Sequence, residues 1–300
     1  MGFEEVPLSG NVGVEVVGLD LEKPIDEATS TALRGLWLEH GIVLFRGLGT
    51  SPEALLSLSR CIGELEPHPV EVFRHPDHPG LILLTNENGA EGPIYEFDGV
   101  ATCGRIPWHT DMAFTTTPNA GAVLRMVKRS QDGGQTGWID TAMAYDALDE
   151  ATRERIDPLE AVYLFRGDIG EMRFNNPGGR RVAESRATYK KFPPVVNPLV
   201  WTHPENGRKV LNVSTLNIDS IVGMDRQEGD RLIQQLIDHV LQPQFQYMHD
   251  WENDDMVLWD NRRTQHCAMG HPADQTRVVH RSTIRGTIAM GRVMDEALRA

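Results

Sequence analysis

Hydrophobic and polar positions along the 300 residues fall into two periods. "NVGVEVVGLDL" near the start alternates like a half-buried strand. "DEATSTALRGLWLEHG" reads instead as a helix closed by Gly41, and "IVLFRG" after it as a strand. "SPEALLSLSRCIGEL" opens with a serine cap and a proline at the first helical position, which predicts a second helix. Further strand-like runs are "GLILLT", "AGAVLRMV", "LEAVYLF", "NPLVWTH", "KVLNVS", "QFQYMHDW", "DDMVLWDN" and "TRVVHRSTIRGT". They are short, rich in Val, Ile, Leu and aromatics, and separated by turn residues. "RQEGDRLIQQLIDHVLQ" is the clearest amphipathic helix late in the chain.

Many strands, few flanking helices and no regular βαβ alternation predict a mainly β fold with flanking helices, a sandwich or jelly roll. No repeat, low-complexity tract or Gly/Ser-rich linker interrupts the pattern, so residues 1–300 are expected to form a single domain. "GGRRVAESRATYKKFPP" is polar and basic amid acidic surroundings, and a lid or insert is expected around residues 167–195.

Composition removes some functions. A formal net charge of −14 leaves no excess of cation to displace counterions from phosphates, so no nucleic-acid partner is expected. The first residues lack a basic and then apolar signal pattern, position six is Val where a myristoylation motif needs Ser or Thr, and no apolar run could cross a bilayer. A cytoplasmic protein without a membrane partner is expected. Cys61, Cys103 and Cys267 are few and far apart, which disfavours a disulfide framework or a structural zinc cluster. Cys267 reads as a small buried hydrophobe.

"WHTDMAF" supplies candidate chemistry. His109 and Asp111, two apart in an extended segment, can share a face. Far downstream, "LWDNRRTQHCAMG" supplies His266. Two imidazoles and a carboxylate on one side of a metal leave open positions, the facial triad of non-haem Fe(II) oxygenases. In "QTRVVHRSTIRG", Arg277, Arg281 and Arg285 recur every four residues; extended, they share a face while His280 points away. Inward arginines on an apolar strand need anionic partners, and a guanidinium fork suits a carboxylate. Arg285 reads as structural. Trp108 and Trp259 read as core aromatics, and Asp260 and Asn261 as either a turn or support for the metal ligands.

Together, "WHTDMAF", "GGQTGWID", "WDNRRTQH" and "VVHRSTIRG" resemble, in this order, the taurine dioxygenase/TfdA family of Fe(II)- and 2-oxoglutarate-dependent dioxygenases. The likeness runs from "GVEVVGLDLEKPID" to about Gly286. It implies a double-stranded β-helix (a cupin-like jelly roll), Fe(II), 2-oxoglutarate and O2 as cosubstrates, and a homo-oligomer, dimer or tetramer. It makes His109, Asp111 and His266 the iron ligands. Arg281 matches the arginine on the far carboxylate of 2-oxoglutarate, Thr136 a threonine bonded to the same carboxylate, and Arg277 an arginine near the cosubstrate or substrate anion. The implied reaction is oxidation, by default hydroxylation, of a C–H in a small organic molecule, with 2-oxoglutarate decarboxylated to succinate and CO2.

The substrate side departs from taurine enzymes. His68 matches a histidine that contacts sulfonate, but Glu71 stands where an aromatic is expected. Asp168 and Ile169 replace a small polar residue and a phenylalanine, and an aromatic is missing around Asn217. Glu71 and Asp168 offer partners for a cationic or hydroxyl-bearing substrate. "YEFDGVATCGRIP" is a candidate cover, with Tyr95, Phe97 and Arg105 as contacts. Two other function classes compete: a zinc-type hydrolase on the same His/Asp/His site, which has no use for Thr136 and Arg281, and an inactive ligand-binding member, which the intact triad disfavours.

Overall fold

Strand alternation feeds two buried faces at once. All four residues of Ile42–Phe45 are buried; Ile42 and Leu44 join one core cluster, Val43 and Phe45 another. Gly121–Lys128 repeats this, with Ala122, Leu124 and Met126 on one side and Val123 on the other. A strand covered on both faces carries a continuous apolar run, which is why "IVLF" shows no polar alternation. The computed structural model describes residues 2–8, 10, 12–67, 73–87, 89, 92–184 and 191–295.

Among these, seven strands form one sheet in the order Glu4–Pro7, Val14–Val17, Ile42–Phe45, Met256–Asp260, Gly121–Lys128, Val278–Ile284 and Leu81–Thr85. Six form a second, in the order Arg180–Ala183, Ile94–Phe97, Val100–His109, Thr264–Pro272, Thr136–Asp140 and Gln246–His249. The two sheets pack through one cluster, in which Leu44, Met126, Val257 and Val279 meet Trp138 and Tyr247. The helices Glu27–His40 and Pro52–Ile62 cover the other face of the larger sheet through Leu33, Trp37, Leu55 and Leu58. The helix Arg226–Val240 packs with a four-stranded sheet through Leu232, Ile233, Leu236 and Ile237. No helix among the described residues is long and apolar enough to cross a membrane.

Both early helices begin as the sequence predicts, and the first also ends there; the second stops at Ile62, inside the run read as helical. Asp26 accepts the Thr29 amide at 2.7 Å, and Gly41 closes the helix at φ 73°. Ser51 accepts the Ala54 amide at 3.0 Å, with Pro52 in the first turn.

Three expectations change. "NPLVWTH" is two strands, Val195–Pro198 and Val200–Thr202, in different sheets, with Leu199 as the switch. Its amide still donates to the Leu159 carbonyl just before the first strand's neighbour, while its carbonyl accepts the Asn212 amide just past the second strand's neighbour. "YEFDGVATCGRIP" is a hairpin of Ile94–Phe97 and Val100–His109. Its turn has Asp98 at φ 49° and Gly99 at φ 81°, the paired left-handed geometry that Asp-Gly favours. The basic segment is not wholly a loop: Arg180–Ala183 is an edge strand on Ile94–Phe97, with Arg180 opposite Glu96 and ion-paired to it at 3.0 Å. Residues 185–190 of the expected lid lie outside the described residues.

Candidate active site

Strand register brings the two imidazoles together. Val100–His109 and Thr264–Pro272 are antiparallel neighbours in which His109 pairs with His266, and the ring centroids lie 4.2 Å apart. Asp111 arrives differently from the expected shared strand face. The strand ends at His109, and the chain turns at once, with Met112 in the left-handed region at φ 57°. The turn places Asp111 Oδ1 3.5 Å from His109 Nε2 and 3.7 Å from His266 Nε2. Ligand-capable atoms of the three residues all lie within 4.8 Å of one another.

Supporting contacts prepare these groups. His109 Nδ1 lies 2.8 Å from the Pro107 carbonyl. A carbonyl only accepts, so Nδ1 carries a proton, and Nε2 is the nitrogen that faces Asp111. Asn261 fixes the turn: its Oδ1 accepts the Asp111 amide at 2.9 Å, and its Nδ2 donates to the Asp111 and Asn119 carbonyls at 3.0 Å. Asp260 instead accepts the Arg262 amide and lies 2.9 Å from His203 Nε2, so of the two only Asn261 touches the ligand loop.

Burial alone would raise the Asp111 carboxyl, but the Arg281 guanidinium, followed by the His266 and His109 rings, holds it well below the usual carboxylate range. Arg281 donates directly to Asp111 Oδ2 and lies over the Trp259 ring, 5.2 Å from its centroid. Burial, then the neighbouring His109, pushes His266 well below an ordinary imidazole. The cluster is therefore an ionised carboxylate beside a neutral ring at neutral pH.

A cavity of about 340 Å³ between the sheets reaches His109, His266, Arg281, Thr136 and Arg277. Thr136 pairs with Ala268, two positions along the strand from His266. Its hydroxyl accepts the Trp251 indole N–H at 3.0 Å, which leaves its own proton free to donate elsewhere. Arg277 precedes its strand, and the register shifts between Val278 and Val279, so the three arginines do not form one regular row. Its amide donates to Asn86 Oδ1 at 3.0 Å and its Nη2 to the Gly134 carbonyl at 3.4 Å, while Nε is buried without a partner. Burial lowers its guanidinium to about 10. Arg285 is exposed and ion-paired to Glu64 at 2.7 Å. Cys267 is buried, as expected, which pushes its thiol up to about 12.

The family model described as "Taurine catabolism dioxygenase TauD, TfdA family" matches residues 4–283. This chain belongs to that family. An (S)-phenoxypropionate/alpha-ketoglutarate-dioxygenase of Sphingobium herbicidovorans is 31% identical over 290 residues, covering 95% of each chain. An alpha-ketoglutarate-dependent sulfate ester dioxygenase of Pseudomonas putida is 28% identical over 286 residues, 95% of this chain and 90% of the other. The crystal structure of AAD-2 in complex with Mn(II) and N-oxalylglycine is similar at a TM-score of 0.76 and 26% identity, covering 97% of this chain and 100% of that one. As a TauD/TfdA-family enzyme the chain is an oxidoreductase of the dioxygenase type.

In this TauD/TfdA-family chain, the residues expected to meet substrate are dispersed. Tyr95, Arg105 and Asp168 line the cavity. Asp168 is already engaged: it accepts the Tyr95 hydroxyl at 2.9 Å, the Gly170 amide at 2.7 Å and Arg181 Nη1 at 2.5 Å. Burial and then the Asp168 hydrogen bond push the Tyr95 hydroxyl up to about 12, so it stays protonated as the donor. Phe97 does not line the cavity; Arg105 covers its ring at 4.6 Å from the centroid. Nor does Asn217, whose Nδ2 donates to the Leu164 carbonyl and whose Oδ1 accepts the Ser214 hydroxyl. His68 and Glu71 lie outside the described residues. Sequence reading missed Phe165, Arg166 and Leu216, which line the cavity and stand next to residues it did single out, Asp168 and Ile169 in one segment and Asn217 in the other.

Proposed function

We propose that this chain is an Fe(II)- and 2-oxoglutarate-dependent dioxygenase that oxidises, by default hydroxylates, a C–H of a small organic molecule, releasing succinate and CO2 from 2-oxoglutarate. The carrying observation is the clustering of His109, Asp111 and His266 within 4.8 Å, with both histidines on the wall of a cavity that Arg277 and Arg281 also line. The donor set fits Fe(II): one charged oxygen and two imidazoles, with His109 Nε2 facing Asp111. Buried Nε atoms of Arg281 and Arg277 lack hydrogen-bond partners, which fits walls built to receive an anion. When bound, Fe(II) supplies the redox chemistry that couples cosubstrate decarboxylation to C–H oxidation.

This reading departs from the resemblance, which gives the far carboxylate to Arg281 and sets Arg277 near the cosubstrate or substrate anion. Arg281 touches the Asp111 carboxylate, so it stands at the metal end and compensates charge there. Arg277, four residues back along an extended segment and thus roughly 13 Å away at Cα, is placed for the far carboxylate. Thr136 donates its free hydroxyl proton to that same group. The apolar wall around these groups excludes water from the reacting end. Two packed sheets with the cavity between them support the double-stranded β-helix, and a single domain; of the insert expected around residues 167–195, Gly167, Asp168 and Ile169 line the cavity. Succinate formation measured with Fe(II), 2-oxoglutarate and O2 tests the reading. It is expected to require all three and to vanish in Asp111→Ala. Hydrolysis supported by zinc without 2-oxoglutarate would contradict it.

A further inference from the structure

Thr136 lies opposite His249 where Thr136–Asp140 pairs with Gln246–His249, and the chain past that strand brings Trp251 back against the same threonine. The Trp251 indole is buried, and its Nε1 donates to Thr136 Oγ1 at 3.0 Å. An indole only donates, so this contact occupies an acceptor site of the hydroxyl and turns its proton away from Trp251. Among the described residues it is the only hydrogen bond this hydroxyl makes. The indole is itself held. The His249 ring meets it edge to face, with centroids 4.4 Å apart at 89°. His249 lies between the Tyr247 hydroxyl, 2.7 Å from Nδ1, and Asp255 Oδ2, 3.0 Å from Nε2. The same Asp255 oxygen accepts the Glu252 amide at 3.1 Å and Arg46 Nη1 at 2.9 Å. These bonds fix the loop that carries Trp251 from Gln246–His249 to Met256–Asp260. Trp251 and Arg277 also line one second cavity, of about 170 Å³, so the indole shares a wall with the guanidinium proposed for the far carboxylate.

We propose that Trp251 is a positioning residue for the cosubstrate: its N–H fixes the Thr136 hydroxyl as a donor toward the far carboxylate of 2-oxoglutarate. This rests on the dioxygenase reading and deepens its cosubstrate end. A freely rotating hydroxyl presents a lone pair or a proton, and only the proton suits a carboxylate. With Trp251 in place the rotor is set before the cosubstrate arrives, which lowers the ordering cost of binding. Thr136 touches the cosubstrate, and Trp251 acts through it.

The test is an anaerobic titration of the full chain with Fe(II) and then with 2-oxoglutarate or 2-oxopentanoate, followed by visible absorption. The second acid keeps the 2-oxo acid end and carries a methyl in place of the far carboxylate. W251F is expected to bind 2-oxoglutarate roughly threefold to tenfold more weakly, the scale of one lost hydrogen bond, and 2-oxopentanoate as wild type does. Benzothienylalanine at position 251, which keeps the ring shape without the N–H, is expected to act alike and carries the test if W251F does not fold. T136V is expected to weaken 2-oxoglutarate binding similarly, and W251F to add less than about twofold in that background. The proposal is overturned if loss of the N–H leaves 2-oxoglutarate affinity unchanged, if 2-oxopentanoate weakens equally, or if the two losses multiply in the double variant. No 2-oxoglutarate binding by wild type would sink the dioxygenase reading and the role of Trp251 together, whereas binding that ignores the N–H would sink only the latter.

Discussion

At one end of the cavity, His109 and His266 are fixed by the register of adjacent strands, and Asp111 by a turn that Asn261 clamps. At the other, Tyr95, Arg105 and Asp168 are fixed by contacts among a hairpin, an edge strand and a loop with a short 3₁₀ turn. The first is held by strand pairing, a clamped turn and buried charge; at the second, paired strands carry Tyr95 and Arg105, but Asp168 is held on a loop by the Tyr95 hydroxyl, the Gly170 amide and Arg181. The first end should therefore be intolerant of change and the second adjustable, which suits fixed chemistry with a variable substrate.

The largest expected effect is at the metal end. Asp111→Ala should lower succinate formation about a thousandfold or more, roughly 4 kcal/mol of barrier. Turnover within tenfold of wild type would remove Asp111 from the cluster. Next comes the arginine pair. Arg277→Gln should raise the KM for 2-oxoglutarate roughly tenfold to a hundredfold, as expected for loss of a charge-assisted hydrogen bond. Arg281→Gln should act more on metal affinity and kcat; the reverse pattern in steady-state kinetics would restore the original assignment. Asn261→Ala should weaken Fe(II) binding about tenfold, the scale for groups that orient ligands, as read by equilibrium titration.

Asp168→Ala separates the two ends. It unties Arg181 and the Tyr95 hydroxyl, so the substrate KM should rise several-fold while the KM for 2-oxoglutarate stays put. A matching change in the cosubstrate KM would mean that the two ends are mechanically one. Behind the site, at His280, the effect is on stability rather than on turnover. Burial, then His75, Arg125 and His78, lowers its pKa from 6.5 to about 4. The unfolded chain binds that proton more readily, so this contribution is complete above pH 6.5 and declines as pH falls toward 4. Thermal melts should show this loss, and His280→Asn should flatten it.

This division also explains what was legible in the chain. Caps at Ser51 and Gly41, apolar runs and His109 with His266 are local or strand-periodic signals, and they led directly to the observed elements. Asp111 was found for the wrong geometric reason, because a strand reading does not foresee a left-handed Met112. Asp98-Gly99 was a hairpin signal within a segment read as a cover. The pairing of Asp168 with Arg181, and the arrival of Phe165 and Leu216 at the cavity, depend on tertiary packing that no local pattern encodes.

The central claim is that His109, Asp111 and His266 hold Fe(II) beside a bound 2-oxoglutarate. An anaerobic titration of the protein with Fe(II) and then 2-oxoglutarate, followed by visible absorption, tests it most directly. A weak charge-transfer band is expected that appears only with both additions, is absent in Asp111→Ala, and needs more 2-oxoglutarate in Arg277→Gln. No band in the wild-type protein, together with tight zinc binding and hydrolytic turnover, would contradict it.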